Sequence, residues 1–382
     1  MTAVRLLVAL MCMPAAALQS QRDADVLRDL ARALDGGHAE QGRAIAERLA
    51  GEQPMGFERL LEAGALLGQH EMYAEAAKIF EKCVRENPRS FEGAYNLALA
   101  RLALADYAGA LNALEKADAH SADQAAAREY MKGKVYAATD RNKEAALSME
   151  TAFRAKPEEN YALDLGLLYL RTDAYPSAVE VLERATRAHP DSGLLAVELG
   201  LAYALAGRHA DAIRVCREPA TAGGDASLTR LIEAFSACST GEYRACESAA
   251  SAGLALPHPR PYLYYLRASA RLRSDSHDYE DLLRDLDAAV SSVPGCGPCR
   301  LARSNVYEKQ GKVSDAIADL QRAVAADPGF AQAWYKLASL ERRAGHTDEA
   351  SRALARYREL HDTGAERERE IFRHQAVGAI KR

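Results

Sequence analysis

The stretch from Cys299 to Leu360 repeats itself at a fixed interval. Gly311 and Gly345, Ala316 and Ala350, and Leu320 and Leu354 are each 34 residues apart. A period of this size marks one supersecondary unit stacked many times, because a single unit cannot bury its own apolar face. Each unit reads as an apolar-periodic helix, a glycine-containing turn, a second such helix, and then proline or a polar break. An array of this kind extends its core along one axis. The 382 residues therefore need not divide into two or three globular domains.

The period runs through most of the chain. A small or apolar residue on each second helix falls at Ala76, Ala110, Ala145, Ala178, Ala212, Cys246, Leu282, Ala316 and Ala350, in steps of 34, 35, 33, 34, 34, 36, 34 and 34. Four residues later, one turn on along the same face, stand Phe80, Leu114, Met149, Leu182, Cys216, Ala250, Leu286, Leu320 and Leu354. First helices carry their own small residue at Gly64, Ala98, Gly133, Gly166, Gly200, Ala234, Ala270, Ser304 and Ala338. Glycine inside a helix costs about 1 kcal/mol against alanine, so its recurrence predicts close approach of paired helices. Pro88, Pro157, Pro190, Pro257, Pro294 and Pro328 punctuate the hairpins.

Nine hairpins follow between residues 57 and 362, and residues 18–56 form a degenerate tenth around Asp35-Gly36-Gly37. Two units are irregular. Pro219 stops one second helix early, and Ser274–Asp281 is a stretched, acidic turn. Residues 363–382 read as a final helix whose narrow apolar face comprises Ile371, Phe372, Gln375, Ala376, Ala379 and Ile380. The expectation is a cap over the last repeat, with docking of a partner as the other reading.

Residues 1–17 have the form of a secretory signal: Arg5, an apolar run from Leu6 to Met13, and small residues up to Ala17. The run is short for a membrane span, and no later segment is apolar enough to be one. The expectation is an exported protein, periplasmic or extracellular, with no integral membrane segment after cleavage. Net charge is −5 with both signs interleaved and no basic stripe, which argues against a nucleic-acid partner.

Chemistry is sparse. Cys296-Gly-Pro-Cys299 has the letters of the thioredoxin dithiol, and a helix start would favour its thiolate. That motif normally joins a strand to a helix, whereas helical repeats flank it here. A structural disulfide is the favoured reading of Cys296 and Cys299, with redox activity or a metal contact as the others. Cys238 and Cys246 flank one hairpin turn and come near enough to bridge, although the pairing expected is Cys296–Cys299. The ten histidines are scattered, no H-E-x-x-H pair exists, and no nucleophile elbow or phosphate loop appears. No catalytic residue, metal site or cofactor is expected, and no enzyme.

The second unit of the opening stretch carries Trp334, Leu337, Ala338, Gly345, Ala350 and Leu354, and in these residues it resembles the tetratricopeptide-repeat family, in its exported bacterial form. The resemblance implies an all-α, right-handed superhelical solenoid of about nine to ten antiparallel hairpins with a C-terminal capping helix. It also implies a concave groove lined by the first helices, where a protein or peptide partner binds. Mapped onto this chain, the lining comprises Tyr95, Leu99, Leu102, Tyr130, Lys134, Leu163, Leu167, Leu170, Val197, Leu201, Leu231 and Phe235. It then turns polar, with Arg267, Arg271, Asn305, Glu308, Tyr335 and Arg342. The expected function is a protein-interaction scaffold. Thiol–disulfide exchange at Cys296 and Cys299, and self-assembly into an envelope structure, are the alternatives.

Overall fold

In the computed structural model, the described residues are 15–51, 55–218, 223–274, 277–293, 295–360 and 364–377. Most of the expected signal, Pro219, Asp275 and the pair Ala379 and Ile380 lie outside them. Every regular element among the described residues is a helix. Two compact units divide the chain, Met1–Tyr161 and Ala162–Arg382.

The first unit begins with hairpin α1 (Ala15–Asp35) and α2 (Ala39–Ala50). It continues with α3 (Phe57–Gln69) and α4 (Tyr73–Glu86), α5 (Phe91–Ala103) and α6 (Tyr107–Lys116), and α7 (Ala122–Ala138) and α8 (Asn142–Ala155). Helix α9 (Glu159–Arg171) begins at the division and pairs with α10 (Tyr175–Ala188). The second unit continues with α11 (Gly193–Leu205) and α12 (His209–Cys216), α13 (Ala226–Ser239) and α14 (Tyr243–Leu254), and α15 (Tyr262–Arg273) and α16 (Tyr279–Ser292). It ends with α17 (Gly297–Lys309) and α18 (Val313–Ala326), α19 (Ala331–Arg343) and α20 (Thr347–Glu359), and the single helix α21 (Gly364–Val377). Helix α12 is the short one, stopping after eight residues just ahead of Pro219.

The small-residue registers account for the pairing. All nine second-helix positions from Ala76 to Ala350 are buried. A Cβ added to Gly64 would sit 2.5 Å from the Phe80 ring, and one on Gly133 would sit 2.5 Å from Met149 Cγ. The first-helix glycine and the second-helix bulky residue are therefore two halves of one contact, and it holds the paired backbones close. The degenerate N-terminal hairpin has a core of its own, in which Leu27, Leu30, Leu34, Ile45 and Leu49 are buried.

The hairpin turns share one backbone device. In each described turn an N–H bonds back to the carbonyl five residues earlier, as Asp106 does to Arg101 (2.9 Å) and Arg208 to Tyr203 (2.8 Å). This closure needs a left-handed residue just before the donor. Glycine fills that place at Gly207 (φ 77°), but Glu71, Ala105, Asp140 and Asp173 fill it at φ 56–61°. Serine and aspartate then start many of the helices: Ser90 Oγ accepts from the Gly93 N–H (3.1 Å), and Asp225 Oδ1 from the Leu228 N–H (2.9 Å).

Two buried carboxylates are held by matched guanidinium forks. Arg267 of α15 grips Asp285 of α16 with two bonds (2.8 and 2.6 Å), and Arg303 of α17 grips Asp319 of α18 in the same way (both 2.6 Å). Asp285 and Asp319 are buried, so each guanidinium fork satisfies a carboxylate that water does not reach.

Helix α21 does not lie over the last hairpin as a cap. It doubles back and packs on the first helices α11, α13 and α17. The reason is its apolar register: Phe372 and Ala376 are buried, and Phe372 finds an aromatic partner on α13. The outer side of α19 and α20 is left with Tyr335 and Tyr357 exposed, their rings 5.1 Å apart.

Candidate protein-binding faces

The expected lining residues separate into three groups. In the first unit, Tyr95, Leu102, Tyr130 and Lys134 are half-buried and Leu99 is 39% exposed. These five occupy neighbouring first helices, α5 and α7, and form an accessible face. The Tyr130 ring stacks on Tyr161 (4.2 Å between centroids), and the Lys134 ammonium lies 5.7 Å from the centre of the Tyr130 ring. Tyr95 in turn stacks on Phe91 (5.2 Å). Burial pushes the Tyr95 phenol up to about 12, with Tyr161 and Glu158 adding to the effect. Burial and then Glu158 raise the Tyr161 phenol as well. These tyrosines are neutral near pH 7, and they present ring faces and hydroxyl donors rather than charge. Tyr161 is absent from the expected lining. It lies five residues before Gly166, off the register that located Tyr95 and Tyr130, and only its stacking identifies it.

In the second unit the expectation of an open lining is corrected for six residues. Leu163, Leu170, Val197, Leu201 and Leu231 are buried, and Phe235 is buried beneath Phe372. The leucines and the valine are packing residues, and Phe235 is a contact already made. Leu167 alone of this stretch is half-buried.

Polar contacts surround that contact. Tyr265 Oη donates to Glu368 Oε1 (2.8 Å), Arg260 Nη1 donates to the Gln375 carbonyl (3.0 Å), and Arg373 Nη1 donates to Asp173 Oδ1 (2.7 Å). At the other end of α21, Arg367 Nη2 donates to Asp327 Oδ1 (2.9 Å) and its guanidinium lies 5.5 Å from the centre of the Phe330 ring. His209 meets the Phe235 ring edge-on at 5.9 Å, and its Nδ1 is buried without a hydrogen-bond partner among the described residues. Burial, with Arg369 of α21 adding, holds the His209 imidazole below its ordinary pKa.

The third group is the polar end. Asn305 and Glu308 line a cavity of about 360 Å³ together with Tyr265, Gln332, Lys336 and Glu368. Glu308 pairs with both Lys336 and Arg343, which keep its carboxyl below its ordinary pKa against the opposing effect of burial. The expected polar residues Arg267 and Arg271 are engaged with Asp285 and with Glu247. Tyr335 (57% exposed) and Arg342 border a separate cavity of about 400 Å³ between α19 and α20.

The cysteines are structural in their surroundings. Cys296 and Cys299 form a disulfide with Cα atoms 5.3 Å apart, and Cys238 and Cys246 form a second at 5.2 Å, beyond the single pairing expected. Cys296 and Cys299 are buried at the start of α17, against which the Phe330 ring packs. The thiols of Cys83 and Cys216, outside the two disulfides, are buried, and burial pushes each up to about 12. Among the described residues no helix is long and apolar enough to cross a membrane.

Comparison with known proteins agrees with the repeat register. Two tetratricopeptide-repeat models match, one at residues 130–192 and 163–226 and the other at residues 307–366. No curated protein matches by sequence. Similar solved structures include MamA (41-end) from Desulfovibrio magneticus RS-1, 24% identical over 44% of this chain and 96% of that one, with a TM-score of 0.36. The yeast Tom70 structure is 11% identical over 94% of this chain and 96% of its own, with a TM-score of 0.42. The C-terminal part of a repeat-containing protein from Cytophaga hutchinsonii is 17% identical over 72% and 97%, with a TM-score of 0.43. The matched segments are tetratricopeptide repeats, and the hairpins outside them keep the same register.

Proposed function

We propose that this chain is an exported scaffold, periplasmic or extracellular, that binds a protein or peptide partner non-covalently on the first-helix faces of its repeats. Tetratricopeptide repeats are protein-interaction scaffolds and in general are not enzymes. The observation that carries the reading is the accessible face of α5 and α7. There Leu99 is exposed beside Leu102, and Tyr95 and Tyr130 supply ring surface with hydroxyls, Tyr130 being backed by the buried ring of Tyr161. Aromatic residues of this kind are the usual anchors of an interface, because they bury much area at little conformational cost. Export is supported by the form of residues 1–17 and by the two disulfides, since such bonds persist in oxidising compartments. The burial of Cys296 and Cys299 disfavours thiol–disulfide exchange as the main activity, because an attacking thiolate must reach a sulfur atom.

The test is affinity capture from the native envelope or secreted fraction, comparing the wild-type chain with Leu99→Asp and Tyr130→Ala. Both side chains are at least partly accessible, so folding should survive, as circular dichroism would verify. Loss of the same captured partner from both variants is the expected result. Retention of every captured protein by two folded variants would overturn the reading.

A further inference from the structure

We propose that α21 is an internal ligand: it occupies the face of α11 and α13 reversibly, and a partner's amphipathic helix of the same chemistry displaces it. The inference rests on the reading that first-helix faces of this chain bind proteins, and it names what the second unit would take.

Three observations carry it. The first is what α21 packs on. Its main neighbours are first helices, α11, α13 and α17, and it bonds to α15 through Tyr265. It thus crosses consecutive repeats on the side where the family resemblance puts the ligand. Its 14 residues span about 21 Å at the α-helical rise.

The second is the small size of its apolar footprint. Phe372 and Ala376 are its buried residues among those described, whereas α13 buries nine. Glu366, Arg369, Glu370 and His374 face water. A helix of this length is marginal in isolation, so its order depends on those few contacts.

The third is the layout of the contact. A stacked aromatic pair, Phe235 on Phe372, lies at the centre. Charged and polar pairs ring it: Arg373 with Asp173, Arg367 with Asp327, Glu368 with Tyr265, and Arg260 with the Gln375 carbonyl. A dry anchor inside a polar rim is the anatomy of a protein–protein interface, not of a core. The ligand that fits is read from α21 itself. It is a helix with glutamate, phenylalanine and alanine at positions i, i+4 and i+8, and arginines beside that stripe.

The experiment uses the full-length chain and a fluorescein-labelled synthetic peptide of residues 362–382, followed by fluorescence anisotropy. Phe372→Asp removes the anchor of the tethered helix and leaves its seat intact. The peptide is expected to bind this variant at least tenfold more tightly than it binds the wild-type chain, and to lose that gain when Phe235→Asp is added. If Phe372→Asp fails to fold, Arg367→Glu with Arg373→Glu breaks only the rim and is expected to raise peptide affinity at least threefold. Hydrogen exchange on the wild-type chain gives an independent readout, with α21 amides exchanging faster than those of α17 and α18. Equal peptide binding by the wild type and a folded variant, or α21 amides as protected as those of α17 and α18, would make α21 a fixed strut and overturn the proposal. Partner capture that depends on Leu99 while peptide affinity ignores Phe372 would leave the first reading standing and remove this one.

Discussion

The rings of Phe235 and Phe372 stack almost face to face, their centroids 3.9 Å apart and their planes 4° from parallel. One belongs to a repeat and the other to the C-terminal helix, 137 residues later in the chain. His209 completes the cluster, meeting Phe235 edge-on.

That third member makes the cluster sensitive to acid. Burial, with Arg369 adding, holds the His209 pKa below its ordinary value of about 6.5. The folded state therefore binds the proton more weakly than the unfolded state does. Its stabilising contribution is complete above about pH 6.5 and is lost as pH falls through the lower, folded value. Thermal unfolding from pH 7.5 down to pH 5 should show the wild type losing more stability than His209→Gln. Parallel curves for the two proteins would remove His209 as the cause.

The left-handed turn residues give a test of opposite signs. Ala105 sits at φ 58°, where a side chain costs about 1–2 kcal/mol. Glycine relieves that strain but loses more chain entropy on folding, so Ala105→Gly should stabilise by roughly 0.5–1 kcal/mol. Gly207 holds the same place three repeats further along at φ 77°, and Gly207→Ala should cost about 1 kcal/mol. Denaturant midpoints of the two variants should move in opposite directions. Movement in the same direction would mean that neighbouring contacts, not the turn backbone, set the response.

The two disulfides should differ in weight. Cys238–Cys246 spans 8 residues and Cys296–Cys299 spans 3. Loop-closure entropy then gives about 2.5 kcal/mol for the first and about 1.5 kcal/mol for the second. Paired serine replacements compared by chemical unfolding should rank in that order. The thiols of Cys83 and Cys216, both buried, should resist alkylation in the native protein in all of these variants.

Much of this fold is legible in the residues, because its period is written in packing. Gly64 against Phe80 and Gly133 against Met149 are visible as registers before any coordinates exist. The turns are half legible. Gly311 and Gly345 announce theirs, but Glu71, Ala105, Asp140 and Asp173 adopt the same backbone with no glycine to signal it. The binding faces are the least legible part. Leu99 and Leu201 obey the same helical spacing, yet one is exposed and the other wholly buried. The difference lies in what packs over each from elsewhere, which periodicity does not encode. Phe372 shows the same limit: its own helix marks it as apolar, but nothing nearby in sequence names Phe235 as its partner.

Arg373 meets Asp173 across 200 residues of chain, so α21 is seated only after the repeats beneath it exist. During synthesis at about 5–20 residues per second, Phe372 follows Phe235 by roughly 7–27 s. Throughout that interval the face of α11 and α13 has no tethered occupant. A partner present while the chain is being made meets a vacant seat, whereas one that arrives later must compete for it. The order of arrival, and not affinity alone, then decides which helix is found there.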